Sequence, residues 1–235
     1  MSFDKMTVVL VHGAWADGSS WRGVIAPLRD AGLEVVAAPL PLTSLADDVA
    51  ALERTLARVT TPVVLVGHAY AGAVIGQARG DQVRSLVYVA ALAPQEGETV
   101  ADVFGRLEPL PQAPALAPDA HGAIWLPREA FASAFAHHAS AQDQAWLAAV
   151  QRPIALACIT APVGRPRWRD VPSWYLLAED DRMIRRETQA FMAARMHATV
   201  VSQAVDHTPA VTAPRVVVDI ILAATGAVAD AARGA

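Results

Sequence analysis

Short apolar runs alternate along the chain with segments in which apolar residues recur at helical spacing. The runs Met6 to Val11, Pro62 to Val66 and Val83 to Val89 are largely apolar, which is typical of strands buried on both faces. From Ser44 to Val59 the apolar positions follow a helical period, behind Ser44-Leu45-Ala46-Asp47, which resembles a capping box. This alternation predicts a parallel sheet with right-handed crossovers and helices on both faces.

The same patterns place further elements along the chain. We predict strands at Glu34 to Ala38, Ser173 to Ala178 and Ala198 to Gln203, and helices at Trp21 to Ala31, Ala73 to Arg79, Arg185 to Met196 and Ala213 to Ala232. Ligands of parallel α/β sheets bind at the carboxyl ends of the strands. Candidate functional residues are therefore expected in the loops that follow strands.

Residues 93–171 interrupt this alternation. Prolines are frequent in the first half of this segment, and prolines break regular helices and strands. A helical stretch is predicted from Arg128 to Val150, and it carries Phe131, Phe135 and Trp146. We interpret residues 93–171 as a cap inserted over the site of a single α/β domain that spans residues 1–235.

The composition argues against several classes of protein. Of the 235 residues, 54% are hydrophobic and 18% are charged, which suits a compact domain with buried strands and excludes disorder over most of the length. Apolar runs fall far short of the ~18 residues that a membrane span requires, so no membrane partner is expected. The net charge of −4 with dispersed Lys and Arg residues gives no basic stripe for nucleic acid.

The sequence gives fewer indications about cofactors, cellular location and oligomeric state. Cys158 is the single cysteine, and no group of His or Cys residues has the spacing of a zinc site, so neither a metal nor a cofactor is expected. Met1 to Lys5 contain no long apolar export segment, which predicts a cytoplasmic protein. The alanine-rich segment from Ala213 to Ala232 would pack on the sheet, with a homodimer contact as the alternative.

The segment from Leu65 to Gly72 has the pattern of a strand, a tight turn and a helix of small residues. The nucleophile elbow of hydrolytic enzymes has this pattern with the motif G-x-S-x-G. Here Ala69 stands at the serine position and Ala71 at the second glycine. Because the turn needs tiny neighbours, Gly67 and Ala71 still permit the elbow geometry.

Three further loops follow strands at the positions where such chemistry places its other groups. His12-Gly13-Ala14-Trp15 follows the first strand, where one backbone amide of an oxyanion hole is expected, so that Ala14 and Tyr70 become the candidate donors. Asp181 follows the strand ending at Ala178, and His207 follows the strand ending at Gln203. The order of nucleophile position, acid and base along the chain fits a catalytic triad with His207 as general base.

Over nearly its whole length the sequence resembles the α/β-hydrolase superfamily. His12-Gly13-Ala14-Trp15 through Trp21 and the Gly67 to Gly72 turn carry the likeness, which is closest to small esterases: pyrethroid-hydrolase-like carboxylesterases and the plant hydroxynitrile lyase and methylesterase group. The resemblance implies a mostly parallel sheet and a Ser-His-Asp mechanism, with Ala69 at the serine position. It also favours Asp181 over Asp180 as the acid, because the family's acid precedes two variable residues and an aliphatic one.

Aromatic and aliphatic residues supply a candidate binding pocket for a hydrophobic or aromatic ester. We predict that the substrate contacts Trp15, His68, Leu92, Trp125, Phe131 and Phe135, and Tyr70, Phe104 and Trp146 are further candidates.

The alanine at position 69 is compatible with two origins and with three functions of the protein. A deliberate serine-to-alanine change would trap an uncleaved ester, whereas a natural protein could have discarded its nucleophile; the intact remaining stations favour the first. The preferred function is ester hydrolysis disabled at position 69. The alternatives are a lyase or oxygenase chemistry that uses His207 without a serine, and a non-catalytic binder of small molecules.

Overall fold

A parallel sheet forms the centre of the structure, a computed structural model that describes residues 6–234. The strands of the described residues are β1 (Thr7–Val11), β2 (Glu34–Ala38), β3 (Val63–His68), β4 (Val83–Val89), β5 (Ala123–Ile124), β6 (Ile154–Ala155), β7 (Ser173–Ala178) and β8 (Thr199–Gln203). Six of them form one sheet in the order β2-β1-β3-β4-β7-β8, with every neighbouring pair parallel. The predicted parallel sheet is therefore confirmed.

Helices connect the strands and cover the sheet. They are α1 (Arg22–Asp30), α2 (Leu45–Leu56), α3 (Ala71–Gln77), α4 (Val100–Phe104), α5 (Ala141–Val150), α6 (Leu156–Thr160), α7 (Arg186–Arg195), α8 (Pro209–Thr212) and α9 (Pro214–Gly234). No helix within residues 6–234 has the length and hydropathy that a bilayer crossing would need. Residues 1–5, on which the cytoplasmic prediction rests, lie outside the described residues.

Side chains at alternating positions of the strands pack on opposite faces of the sheet. In β1, Val8 and Leu10 belong to the core formed with α1 and α9, whereas Val9 and Val11 belong to the core formed with α2 and α3. All four side chains are fully buried. Burial on both faces explains why the central strands are apolar rather than alternating.

Between β4 and β7 the chain leaves the sheet and builds the region predicted as a cap. It contains α4, α5, α6 and a two-stranded antiparallel ribbon of β5 and β6. Arg195 of α7 anchors the start of this region, because its guanidinium donates to Glu98 at 2.8 Å. Ala155 in the ribbon donates its amide to the carbonyl oxygen of Leu42, in the loop after β2, at 2.9 Å.

The prediction of one continuous helix from Arg128 to Val150 was wrong. The segment forms a single π-helical turn at Phe131–Phe135, and α5 then begins separately at Ala141. Ser140 is extended and its hydroxyl accepts a hydrogen bond from the Asp143 amide at 3.1 Å. This is an N-cap, which starts a new helix rather than continuing an old one.

Candidate active site

The turn between β3 and α3 holds Ala69 in a left-handed conformation. Its φ angle is +51°, a region that costs a residue with a Cβ atom roughly 1–2 kcal/mol. Three hydrogen bonds hold it there. The Ala69 amide donates to the Val89 carbonyl at 3.2 Å, and the Ala69 carbonyl accepts from the Gly72 and Leu92 amides at 3.1 and 2.9 Å. The strained turn of a nucleophile elbow is therefore present without a serine.

Close backbone approaches explain the small residues around this turn. A Cβ atom added to Gly67 would lie 2.9 Å from the Ala71 carbonyl oxygen, and one added to Gly13 would lie 2.9 Å from the His68 carbonyl oxygen. Real Cβ atoms do not approach backbone this closely. Glycine at these positions lets the loop after β1 pass directly against the turn.

Two backbone amides beside Ala69 are free to bind an oxygen atom. Within residues 6–234, neither the Ala14 nor the Tyr70 amide finds a hydrogen-bond acceptor. Both residues line the same cavity as Ala69. Unpaired amides of residues that line one cavity can donate to a ligand oxygen bound there, which is how backbone amides stabilise a developing oxyanion.

A buried histidine and aspartate complete the polar end of the site. Nδ1 of His207 lies 2.8 Å from Oδ2 of Asp181, and both residues are buried. Asp181 also accepts from the amides of Met183 and Ile184 at 2.7 and 2.9 Å and from Nε2 of Gln189 at 2.9 Å. The carboxylate is thus fully hydrogen-bonded, and it fixes the His207 tautomer with Nδ1–H donating.

Asp180 takes no part in this arrangement. Its carboxylate is 47% exposed and lies 3.7 Å from the ring of His138. His207 pairs with Asp181 and not with Asp180, because the Asp181 side chain turns inward and accepts the amides of Met183 and Ile184.

The cavity beside this polar end is almost entirely apolar and has a volume of about 260 Å³. The polar atoms of two lining side chains are already paired, because Trp15 Nε1 donates to the Ile124 carbonyl at 2.9 Å and the Tyr70 hydroxyl donates to Asp48 at 2.7 Å. The region between β4 and β7 contributes much of the wall, through Val100, Phe104, Leu116, Ile124, Ile154 and Ile159.

Residues 8–220 match the family model described as "Alpha/beta hydrolase family". The chain belongs to the alpha/beta hydrolase family. Over 247 aligned residues the hydrolase is 26% identical to the alpha/beta hydrolase nvfD of Aspergillus novofumigatus (strain IBT 16806), an alignment that covers 94% of this chain and 97% of that protein. The resemblance predicted from the motifs is confirmed.

Solved structures of similar fold include esterases. Polyneuridine aldehyde esterase superposes with a TM-score of 0.82 at 19% identity, covering 93% of the hydrolase and 98% of that chain. A pyrethroid hydrolase from Sphingobium faniae JZ-2 superposes with a TM-score of 0.78 at 21% identity, covering 96% and 99%. These likenesses confirm the predicted α/β-hydrolase fold.

Of the six side chains predicted to contact substrate, Trp15 and Leu92 line the cavity. Phe131 and Phe135 do not; they lie behind its wall. Phe135 packs edge-on against Trp15 with ring centroids 6.1 Å apart and lies 5.3 Å from the His207 ring. Phe135 therefore supports two lining residues from behind, and Phe131 packs on Phe135 with ring centroids 5.4 Å apart.

Trp125 and His68 also lie elsewhere than predicted. Trp125 follows β5 and is 50% exposed, whereas its neighbour Ile124, the last residue of that strand, is buried and lines the cavity. His68 lies behind His207, where its Nε2 donates to the His207 carbonyl at 2.7 Å. His68 thus positions the His207 main chain and is not part of the cavity wall.

The sequence did not lead us to Asp48, which ties Tyr70 in place. Its carboxylate is fully buried and accepts from the Tyr70 hydroxyl at 2.7 Å and from the Leu42 amide at 2.7 Å. Burial raises the pKa of this carboxyl. A signal was available, because Asp48 lies on the apolar stripe of α2 between Leu45 and Leu52, where an unpaired acid would be costly.

His68 should make the fold less stable in acid. Burial, followed by the nearby His207 ring, lowers the pKa of His68 from 6.5 to about 3. The unfolded chain therefore binds a proton below pH 6.5 that the folded chain refuses, so this contribution to stability is lost as pH falls from 6.5 towards 3. Between pH 7.5 and 5, we expect the free energy of unfolding to fall by ~2 kcal/mol through this group.

Urea unfolding at several pH values measures this loss. The matched control is His68→Gln, because the glutamine amide can donate to the same carbonyl without titrating. The native chain should lose about 2 kcal/mol more than this variant over the same interval. Parallel pH curves for the two proteins would show that His68 does not carry the effect.

Proposed function

We propose that this site is organised to hydrolyse hydrophobic carboxylic esters and that Ala69 disables the step in which an acyl-enzyme forms. The observation that carries the proposal is that His207, paired with Asp181, lines the same apolar cavity as Ala14 and Tyr70, whose amides are free. A base and an oxyanion site together serve acyl transfer.

With a serine at position 69, each residue would have a defined task. The serine hydroxyl would attack the ester carbonyl while His207 takes its proton and later returns it to the leaving alcohol. The amides of Ala14 and Tyr70 would hold the oxyanion of the tetrahedral intermediate. Asp181 would stabilise the imidazolium. Water activated by His207 would then release the acid.

The walls of the cavity support an uncharged, apolar substrate. A charged acyl group would lose its hydration there without gaining a partner, because the lining side chains other than His207 offer it aliphatic and aromatic surface. The esterases among the structural neighbours agree in chemistry with this choice.

Binding without catalysis is the second candidate, and Ala69 itself favours it. An apolar cavity with two free amides can retain a carbonyl compound that no nucleophile attacks. The two candidates differ in what a restored serine does: a disabled esterase gains turnover, whereas a receptor binds saturably and remains inert.

A panel of p-nitrophenyl esters tests the proposal. The native chain and Ala69→Ser are compared from acetate to octanoate, with p-nitrophenyl hemisuccinate as a charged acyl control. We expect Ala69→Ser to cleave the uncharged esters and to prefer acyl groups longer than acetate, with the hemisuccinate cleaved at least ~10-fold more slowly than butyrate because its charge must be desolvated. Equal cleavage of the charged and uncharged esters would overturn the assigned substrate class.

A further inference from the structure

We propose that the chain as it stands, with Ala69, catalyses proton transfer at the carbon next to the carbonyl of an uncharged, hydrophobic ketone. This activity uses the site described above but goes beyond ester hydrolysis, because it needs no nucleophile and forms no covalent intermediate. Three features carry it: an uncommitted base, an uncommitted oxyanion site and a methyl group between them in place of a hydroxyl.

The base is rigid and unoccupied. Nδ1–H of His207 donates to Asp181, whose remaining hydrogen bonds come from the loop amides of Met183 and Ile184 and from Gln189. His68 holds the His207 carbonyl from behind. No hydrogen-bond partner for Nε2 is found among residues 6–234, and His207 lines the cavity. The Nε2 lone pair is therefore available to a substrate.

Ala69 is what keeps that lone pair free. A serine hydroxyl at the nucleophile position donates to Nε2 and thereby occupies the base. The methyl group of Ala69 can neither donate a hydrogen bond nor attack a carbonyl carbon. A bound ketone thus meets the base His207 and no nucleophile. The reaction left to the site is abstraction of a proton from the carbon next to the carbonyl.

The oxyanion site matches the charge that this reaction creates. Removal of an α-proton moves charge onto the carbonyl oxygen, where the Ala14 and Tyr70 amides are free to donate. The surrounding wall offers little competition, because the polar atoms of Trp15 and Tyr70 are paired elsewhere. Preorganised donors act strongly in an environment that excludes water, and a base combined with such donors is sufficient for enolisation.

The step balances without any further reactant. Nε2 takes the α-proton, the C–H electron pair forms the carbon–carbon double bond of the enolate, and the carbonyl π pair moves to the oxygen held by the two amides. The imidazolium then returns a proton to the same carbon, or to the γ-carbon of an unsaturated ketone; where Nε2–H first exchanges with solvent water, the hydrogen returned comes from the solvent. The outcomes are hydrogen exchange, loss of configuration at the α-carbon, or migration of a double bond.

Deuterium exchange tests this proposal directly. 4-Phenyl-2-butanone is incubated in buffered D₂O with the native chain, and loss of its α-proton signals is followed by ¹H NMR. We expect exchange at least ~10²-fold faster than in buffer alone, the lower end of the range for a positioned general base. His207→Gln should abolish the gain, whereas His121→Gln, which changes an exposed histidine outside the cavity lining, should leave it unchanged.

Ala69→Ser gives the sharpest readout, because this substitution adds a single oxygen atom and an unchanged circular dichroism spectrum shows that the variant is folded. It should slow exchange while it raises ester cleavage, so the two activities move in opposite directions. Exchange no faster than in buffer, or exchange that persists in His207→Gln, would overturn the proposal. Neither result bears on ester hydrolysis, which is measured on the serine variant, so the two proposals fail separately.

Discussion

Ala69→Ser is expected to raise the rate of p-nitrophenyl butyrate hydrolysis at least ~10³-fold over the native chain. The estimate follows from what an alanine removes: without a hydroxyl the oxyanion donors and binding alone supply a residual ~10³–10⁴-fold effect over water, while a complete triad supplies several orders of magnitude more. A serine at position 69 needs no rearrangement of the backbone, because Ala69 already has the positive φ angle of +51° that an elbow requires.

Two further substitutions make the result specific. In the Ala69→Ser background, His207→Gln should return the rate close to that of the native chain, and Asp181→Asn should lower kcat by roughly 10⁴-fold through the wrong histidine tautomer. A serine variant that folds normally yet cleaves no ester faster than the native chain would contradict the proposed hydrolysis. Initial rates at neutral pH are sufficient to measure all four proteins.

Gly72→Ala should destabilise the fold by about 3 kcal/mol, at the upper end of the cost of inserting a methyl group into a closely packed site. The added Cβ would press on the carbonyl oxygen of Leu92 and lie 2.9 Å from the Ala91 Cβ. That carbonyl belongs to a residue whose amide already donates to Ala69 at 2.9 Å. Neither the added Cβ atom nor the Leu92 carbonyl can move away without opening the turn at Ala69.

Gly76, one helical turn further along α3, provides the matched control. A Cβ there would find its nearest neighbour, the Tyr88 hydroxyl, at 3.7 Å, which is ordinary contact. Gly76→Ala should therefore stabilise the chain by up to ~1 kcal/mol through helix propensity. Urea unfolding of both variants gives the comparison. Equal effects would mean that propensity and not the Leu92 contact determines stability in α3.

Most of the sheet could be predicted because strands buried on both faces carry their signal locally. β2, β7 and the end of β1 fall where the apolar pattern places them, and β3 begins at Val63 instead of Pro62. α3 begins two residues earlier than predicted, at Ala71, because Tyr70 already has helical backbone angles. Small residues in that turn carry no helical periodicity of their own, so its start could not be located from the pattern.

The sequence also allowed the polar residues of the site to be predicted, because the loops that follow parallel strands lie at one edge of the sheet. The cavity wall was not. Ile124 and Trp125 are adjacent, yet Ile124 at the end of β5 is buried, whereas Trp125, which follows that two-residue strand, is 50% exposed. No periodicity can be detected over two residues. Which aromatic side chain touches a ligand depends on contacts between segments distant in sequence, as the packing of Phe135 on Trp15 illustrates.

The division of the cavity between two parts of the chain bears on how such a protein can change. Its polar end comes from loops that follow sheet strands, at Ala14, Ala69, Tyr70 and His207, while residues between β4 and β7 provide much of its apolar wall. Substitutions between β4 and β7 can therefore change which ligands fit the cavity while its polar residues stay the same. Conversely, a substitution at position 69 can change the reaction while the apolar wall, and with it the ligand preference, stays the same. The hydrolase is modular in this evolutionary sense, although its two parts share one cavity.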